Sequence, residues 1–199
     1  MRPLLVTRAA EDAAPLAERL GPHAIVAPCL AYEPAGGDPP ALTDADLLVT
    51  SPRAVPALAR APGGWRVLAL VPTTAAAVRA AGYRVDVEVS GGAADLARAG
   101  RPGPLVCATS DLGGDEVRRV RPDAVLWVVY RTVCPDALPP AAVAALAGEF
   151  DVLFTSPSAV RNFERLAPGA LARATRVLCH GRTTLAAVPR DAELVTLPS

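Results

Sequence analysis

A Thr-Ser-Pro motif occurs at two places in this chain, each time directly after an apolar run. The two motifs are Thr50-Ser51-Pro52 and Thr155-Ser156-Pro157. A Ser or Thr followed by Pro favours a helix start, because the hydroxyl accepts from free backbone N–H groups and Pro suits the first turn. Where such a start is exposed, the same N–H groups and the helix dipole bind anions. The motifs therefore fit either simple capping or anion binding.

Two threonine pairs repeat this pattern, because each follows an apolar run and opens an alanine-rich stretch. They are Thr73-Thr74 and Thr183-Thr184. In parallel sheets covered by helices, ligands bind outside the carboxyl ends of the strands. Four helix starts of this kind could line opposite walls of one cleft. Such walls would suit a large ligand that carries several carboxylates or phosphates.

Two single residues add further chemistry. Arg8 stands close to the end of the first apolar run, where its guanidinium could bind a carboxylate through two hydrogen bonds or remain a solvated surface charge. Tyr130 ends another apolar run, where its phenol could reach a cleft or pack in the core or an interface.

Composition excludes several classes of chemistry. The 199 residues include 20 basic and 20 acidic side chains, and every basic one is arginine. Without lysine there is no Schiff base and no Walker-type phosphate site. The net charge of zero lacks the basic field of a general nucleic-acid binder. No GxGxxG follows a strand, which argues against a nucleotide- or phosphosugar-using enzyme.

The four cysteines and two histidines do not form a recognisable site. Cys29, Cys107, Cys134 and Cys179 are far apart, which favours free thiols in a reducing cytoplasm. The opening apolar run is too short for a signal peptide, and no run approaches the length of a membrane span. We therefore expect a cytoplasmic protein.

Short apolar runs alternate with alanine-rich helical patterns, which is typical of an α/β fold with parallel sheets. Helical patterns cover Glu11–Leu20, Thr73–Ala81 and Pro139–Ala147. The expected strands are Leu4–Val6, Ala24–Ala27, Asp46–Val49, Val67–Val71, Val85–Val89, Leu105–Cys107, Ala124–Val129, Val152–Phe154, Arg176–Cys179 and Glu193–Thr196.

An internal repeat divides the chain into two similar halves. Asp46-Leu-Leu-Val-Thr-Ser-Pro-Arg-Ala-Val55 recurs as Asp151-Val-Leu-Phe-Thr-Ser-Pro-Ser-Ala-Val160. The threonine pairs follow each copy in the same order. The halves could form two consecutive domains, or the chain ends could join into a discontinuous domain around a middle one. Pro/Gly-rich breakers at 33–40 and 134–140 favour the discontinuous arrangement, with two crossings that act as a hinge over a cleft.

At these residues the sequence resembles the uroporphyrinogen-III synthase family. The resemblance rests on Leu5-Val-Thr-Arg8, the paired Thr-Ser-Pro-x-Ala-Val motifs and Val129-Tyr-Arg-Thr-Val133. It extends to Asp151–Phe163 and to Gly181-Arg-Thr-Thr-Leu-Ala-Ala-Val188, and it covers nearly the whole chain.

The resemblance implies two α/β domains with parallel sheets flanked by helices, joined by a two-stranded linker, with the active site in the cleft between them. It places one domain at 1–30 plus 138–199 and the other at 38–127, with linkers at 31–37 and 128–137. The implied substrate is hydroxymethylbilane, a linear tetrapyrrole with eight carboxylates. The implied reaction loses water, inverts ring D through a spiro intermediate and closes uroporphyrinogen III, without a cofactor or metal. The resemblance also favours a monomer. We expect any contact with hydroxymethylbilane synthase to be transient.

Pattern and resemblance together predict the site residues. By position, Tyr130 matches the family tyrosine that is thought to assist loss of the hydroxyl. The expected substrate-binding residues are Arg8, Thr50, Ser51, Thr74, Thr155, Ser156, Ser158, Gly181, Thr183 and Thr184.

The chain departs from the family pattern in its middle part. Cys107-Ala-Thr-Ser-Asp111 stands where the family commonly has Arg-Gly, and Val71-Pro72 stands where Gly usually precedes the first threonine pair. These departures leave open a rival interpretation, a catalytically silent two-lobed ligand-binding or regulatory paralogue.

Overall fold

The computed structural model describes residues 2–197, which fall into two compact units. Unit 1 consists of Met1–Tyr32 with Val133–Ser199, and unit 2 consists of Glu33–Thr132. Residues 33–37 and 128–132, which belong to the linkers that the resemblance implies, lie in unit 2. The sequence-based domain boundaries and the cleft stay predictions, and Met1 and residues 198–199 lie outside the described part.

Strands and helices alternate along most of the chain. The strands are β1 (Leu4–Val6), β2 (Ala24–Val26), β3 (Ala31–Pro34), β4 (Asp46–Val49), β5 (Arg66–Leu70), β6 (Val87–Val89), β7 (Leu105–Ser110), β8 (Val125–Val133), β9 (Asp151–Phe154), β10 (Arg176–Cys179) and β11 (Glu193–Leu194). The helices are α1 (Ala10–Leu20), α2 (Thr73–Ala80), α3 (Ala93–Arg98), α4 (Asp115–Val120), α5 (Pro140–Ala145), α6 (Pro157–Leu166), α7 (Ala170–Arg173) and α8 (Arg182–Leu185), together with a 3-10 helix at Pro52–Arg60.

The sheet of unit 1 has the order β11-β10-β9-β1-β2, and all of its pairings are parallel. One apolar cluster includes Phe150, Phe154 and Phe163, and the rings of Phe154 and Phe163 meet edge to face with centroids 5.5 Å apart. A smaller cluster, which includes Leu16 and Leu153, lies under α1. Helices and apolar clusters cover both faces of this sheet, so its strands need apolar side chains at successive positions. The strand sequences are therefore almost continuously apolar.

The sheet of unit 2 has the order β3-β8-β7-β4-β5-β6, with parallel pairing from β8 to β6. One cluster lies beside the 3-10 helix and α2, and it holds Trp65 and Trp127 with their rings edge to face at 6.3 Å. A second cluster, which includes Leu96 and Val117, lies beside α3 and α4. At the sheet edge, Ala35 N donates to Val129 O over 2.9 Å.

A buried carboxylate organises the amino end of this second sheet. The side chain of Asp46 is 0% exposed, and Arg66 donates to it twice, Nε to Oδ1 over 3.0 Å and Nη2 to Oδ2 over 2.7 Å. The backbone N of Arg101 donates to Oδ2 over 2.8 Å. Burial raises the pKa of Asp46, but the Arg66 and Arg101 hydrogen bonds and charges outweigh burial and hold that pKa below its ordinary value.

The expected α/β class and parallel sheets are confirmed. Leu4–Val6, Asp46–Val49 and Arg176–Cys179 form strands with the expected bounds, whereas β7 and β8 extend further than expected, to Ser110 and Val133. β3 is not predicted from the sequence, because its Glu33-Pro34 end is typical of a break between elements. Among the described residues, no helix is long and apolar enough to cross a membrane.

Candidate functional site

The carboxyl edge of the unit 2 sheet contains a cavity of about 350 Å³. We call it the Tyr130 cavity. Its lining is formed where β4, β7 and β8 end or pass the edge and where α4 begins. The lining residues are Thr50, Ser51, Ala93, Thr109, Ser110, Leu112, Gly113, Gly114, Asp115, Glu116 and Tyr130. The fold therefore brings three of the predicted residues together, namely Thr50, Ser51 and Tyr130.

Ser51 is in place both to cap a helix and to face the cavity. It precedes the 3-10 helix, and its Oγ accepts from Arg53 N over 3.3 Å. Thr50 is half-buried and comes directly after β4. The capping expected from the Ser-Pro motif is thus formed. A hydroxyl that accepts one hydrogen bond can still donate its own proton to a ligand.

Thr74 lies elsewhere. It is in the first turn of α2, is only 4% exposed, and is not among the residues that line the Tyr130 cavity. The helix start predicted for the pair is present, with Thr73 as the first helical residue and exposed. Within the pair, Thr73 and not Thr74 has the side chain that solvent can reach.

The carboxyl edge of the unit 1 sheet gathers a second group of predicted residues. The register pairs Val6 with Leu153, and Phe154 with Cys179, so the chain segments that follow β1, β9 and β10 lie side by side. Thr7 joins two of them, because its Oγ1 donates to Leu153 O over 2.7 Å. We call this group the unit 1 edge; its predicted members are Arg8, Thr155, Ser156, Ser158, Gly181 and Thr183.

The start of α6 is the best-formed helix start on the unit 1 edge. Ser156 has an extended backbone, and its Oγ accepts from Ala159 N over 3.2 Å. Thr155 and Ser156 are both half-buried, and Pro157 is the first helical residue. Ser158 lies within the first turn, where Arg161 Nη2 donates to its Oγ over 3.2 Å. The first-turn N–H groups of this ten-residue helix point towards the edge.

The segment after β10 repeats this arrangement with a shorter helix. His180 N donates to Phe154 O over 2.8 Å, which places this segment beside Thr155. Gly181 and Thr183 are exposed, but Thr184 is only 1% exposed. The second threonine of each pair therefore packs inside the protein, in α8 as in α2.

Arg8 follows β1 at the unit 1 edge. Its Nη2 lies 4.0 Å from Asp12 Oδ2, and its side chain is 40% exposed. A contact of this length in solvent is weak, so the guanidinium can turn to a carboxylate on a ligand. Among the described residues, no cluster of His, Cys, Asp and Glu could hold a metal ion.

Sequence reasoning missed the part of the Tyr130 cavity that β7 and the following turn supply. Thr109 is 5% exposed, whereas Leu112 is 66% exposed. The signal was present in Cys107-Ala-Thr-Ser-Asp111, whose hydroxyls follow an apolar run as they do in the two Thr-Ser-Pro motifs. The resemblance marks that segment only as a departure from the family pattern.

The charge of the Tyr130 cavity differs from the expectation of a wall that binds carboxylates or phosphates. Its described lining includes the carboxylates of Asp115 and Glu116 and no arginine. Both acidic side chains are exposed, and they stand at the start of α4. Such a wall repels a ligand carboxylate and favours a neutral or positively charged group.

Comparison with known proteins identifies the relatives of this chain. A family model described as uroporphyrinogen-III synthase HemD matches residues 11–192. No curated protein sequence gives a significant match.

Two solved structures share the fold. Uroporphyrinogen-III synthetase from Helicobacter pylori is 17% identical, with a TM-score of 0.66 over 100% of this chain and 94% of that one. A mutant uroporphyrinogen III synthase from Thermus thermophilus is 18% identical, with a TM-score of 0.53 over 94% of this chain and 88% of that one. At these identities the likeness shows the fold alone.

Proposed function

The chain belongs to the uroporphyrinogen-III synthase family, and we propose that its unit 1 edge binds substrate carboxylates while the Tyr130 cavity receives the end of the substrate that loses water. The enzyme is a cyclising lyase of haem and tetrapyrrole biosynthesis. It converts hydroxymethylbilane to uroporphyrinogen III, with loss of water and inversion of ring D.

Orientation is the main task of such an enzyme. The substrate can close spontaneously to uroporphyrinogen I, so catalysis must favour attack at the other position of ring D. Holding the reacting carbons in an attack geometry supplies a large part of a rate enhancement. Many modest contacts to a flexible substrate suit this task better than one reactive side chain, which is consistent with a chain that lacks lysine.

The formed helix start at Ser156 is the observation that carries the carboxylate-binding part of the proposal. Its Oγ already accepts from Ala159 N and Pro157 has no N–H, so the helix start is formed before a ligand arrives and offers its dipole and the remaining N–H group of the first turn. A carboxylate at this point gains the helix dipole and charge-assisted hydrogen bonds. Thr155, Ser158, Gly181 and Thr183 supply further donors nearby, and Arg8 supplies the cation.

The acidic wall of the Tyr130 cavity supports a different role for unit 2. When the hydroxymethyl C–O bond breaks, the oxygen leaves as water and the pyrrole that remains carries positive charge. Asp115 and Glu116 stabilise that charge electrostatically. Tyr130 can donate its phenolic proton to the departing oxygen. Thr50 and Ser51 hydrogen-bond the same end of the substrate.

Tyr130→Phe tests the role of the phenol, because it removes one oxygen and keeps the ring. We expect kcat to fall by about 10²-fold or more, as for loss of a general acid, with little change in KM or thermal stability. Tyr83→Phe, in the same unit and away from the cavity, is the control. If Tyr130→Phe turns over at the wild-type rate, Tyr130 has no part in the loss of water.

Location and assembly complete the proposal. Cys29, Cys107, Cys134 and Cys179 are all unpaired, as befits a reducing compartment such as the cytoplasm. We propose that the enzyme acts as a monomer. Because its substrate closes spontaneously, we also propose a transient contact with hydroxymethylbilane synthase, which would shorten the time that free substrate spends in solution. Analytical ultracentrifugation, alone and with the synthase, tests both points.

A further inference from the structure

The pairing of β7 with β8 contains a bulge next to Tyr130. The register is regular from Val106↔Val125 to Thr109↔Val128, and the next pair is Ser110↔Tyr130. Val129 is therefore one residue more than β7 can match. An extra residue of this kind locally changes the direction in which the following side chains point.

The bulge decides which face of the sheet Tyr130 joins. Trp127 and Val129 belong to the cluster beside the 3-10 helix, and Tyr130 packs against that same cluster. Leu126 packs against the cluster on the other face. Because successive residues of a regular strand face opposite sides, Val129 and Tyr130 could not share a face without the bulge. The extra residue thus turns Tyr130 towards the helix that Ser51 caps.

Asp111 holds β8 in this arrangement. Its backbone N donates to Tyr130 O over 3.2 Å, and its carboxylate Oδ1 accepts from Thr132 N over 3.0 Å. The two bonds lie on either side of Arg131, directly after Tyr130. β7 ends at Ser110, so its backbone supplies no acceptor for Thr132. The side chain of Asp111 takes the place of that missing carbonyl.

The turn after β7 keeps Asp111 at this position. Gly113 N donates to Ser110 O over 3.1 Å and closes the turn. A Cβ at Gly113 would clash with Thr109 Oγ1, so a side chain here would force Thr109 or the turn to shift. The side chain of Asp111 is consequently directed at β8 by a tight local structure.

We propose that Asp111 is a positioning residue for Tyr130. The carboxylate of Asp111 secures β8 beyond the bulge and so fixes where the phenol of Tyr130 lies in the cavity. The functional consequence rests on the proposed role of Tyr130. The position of the Tyr130 ring does not depend on that role, and it can be measured without an activity assay.

A resonance experiment tests the geometry. The chain contains three tyrosines, so 3-fluorotyrosine labelling gives three ¹⁹F signals, and Tyr130→Phe assigns one of them. Asp111→Ala and Asp111→Glu should shift or broaden the Tyr130 signal and leave that of Tyr83 in place. Asp111→Asn, which keeps an acceptor oxygen at the same distance, should give a spectrum close to wild type. An unmoved Tyr130 signal in both Asp111→Ala and Asp111→Glu would overturn the proposal.

Kinetics test the consequence for turnover. Asp111→Ala and Asp111→Glu should lower kcat by about 10-fold to 100-fold, the usual effect of misplacing a reacting group by about 1 Å, with KM nearly unchanged. Asp111→Asn should restore most of kcat, and Asp38→Ala, an exposed carboxylate of the same unit, should match wild type. In the Tyr130→Phe background, Asp111→Ala should have almost no further effect.

Two kinetic outcomes contradict the proposal. If Asp111→Ala slows both backgrounds equally, Asp111 acts independently of Tyr130. If Asp111→Glu resembles wild type while Asp111→Asn is impaired, charge and not position matters. A normal Tyr130→Phe rate instead refutes the proposed role of Tyr130, and the ¹⁹F spectra then still decide the positioning claim.

Discussion

Ser156 allows helix capping and substrate binding to be separated, because asparagine and aspartate are both good N-caps but only aspartate adds a negative charge. In the structure Ser156 Oγ accepts from Ala159 N over 3.2 Å. Ser156→Ala loses that bond and should destabilise the protein by about 1 kcal/mol. For a chain of this size, such a loss lowers Tm by about 2–4 °C. Ser156→Asn and Ser156→Asp should keep or raise the wild-type Tm.

The effect on substrate binding should follow charge and not capping. Two like charges about 4 Å apart repel by about 1 kcal/mol in bulk water and about 4 kcal/mol at a partly shielded protein surface. Ser156 is half-buried, so we expect a value between these limits. Since about 1.4 kcal/mol corresponds to a factor of ten, Ser156→Asp should raise KM by about 5-fold or more. Ser156→Asn should leave KM within about twofold of wild type, because it repels nothing.

Steady-state kinetics with freshly made hydroxymethylbilane, together with thermal unfolding, measure both effects. Thr175→Asp is the matched control, because Thr175 is exposed and precedes β10 at the opposite edge of the same sheet. It adds the same charge to the same unit. A wild-type KM for Ser156→Asp, at a wild-type Tm, would refute the claim that a substrate carboxylate meets the start of α6.

Three further predictions concern stability and binding. Asp46→Asn should lower the free energy of unfolding by about 3 kcal/mol at pH 7, because it leaves the charge of Arg66 without its buried carboxylate partner. The folded pKa of Asp46 lies below its unfolded value of about 3.9, so this stabilisation is present above about pH 4 and is lost as the pH falls further. In urea unfolding, the free energies of unfolding of wild type and Asp46→Asn should therefore converge in acid. Gly114→Ala should lower the free energy of unfolding by about 1–3 kcal/mol in the same assay, because the φ of Gly114 is +99° and a Cβ would lie 2.6 Å from Leu126 Cδ1. An unchanged urea midpoint would contradict this prediction. Arg8→Ala should raise KM more than Arg8→Lys does, and equal KM values for both and wild type would remove Arg8 from the site.

The parallel sheets could be predicted because buried strands need apolar side chains on both faces. Runs such as Asp46–Val49 and Arg176–Cys179 carry that signal by themselves. The repeat then places the Thr-Ser-Pro motifs at equivalent strand ends. Capping by Ser51 and Ser156 also follows from local sequence, because it depends only on a hydroxyl and the next few N–H groups.

Other features depend on contacts that no local pattern contains. The acidic wall of the Tyr130 cavity requires the start of α4 to meet the end of β4, and these segments lie far apart in the sequence. The burial of Thr74 and Thr184 follows from the rotation of α2 and α8 against their sheets, which the motif does not specify. The bulge at Val129 is a feature of the pairing between β8 and β7, which the sequence of β8 alone does not specify.

Directing hydroxymethylbilane to the ring-inverted isomer is the activity on which every role proposed above depends. Its most direct test is to supply hydroxymethylbilane freshly from its synthase, oxidise the products and separate the isomers, with and without the protein. We expect isomer III to dominate when the protein is present and isomer I when it is absent. If protein with a normal unfolding transition gives the same isomer III fraction as the protein-free control, the chain does not catalyse ring inversion and is a catalytically silent paralogue.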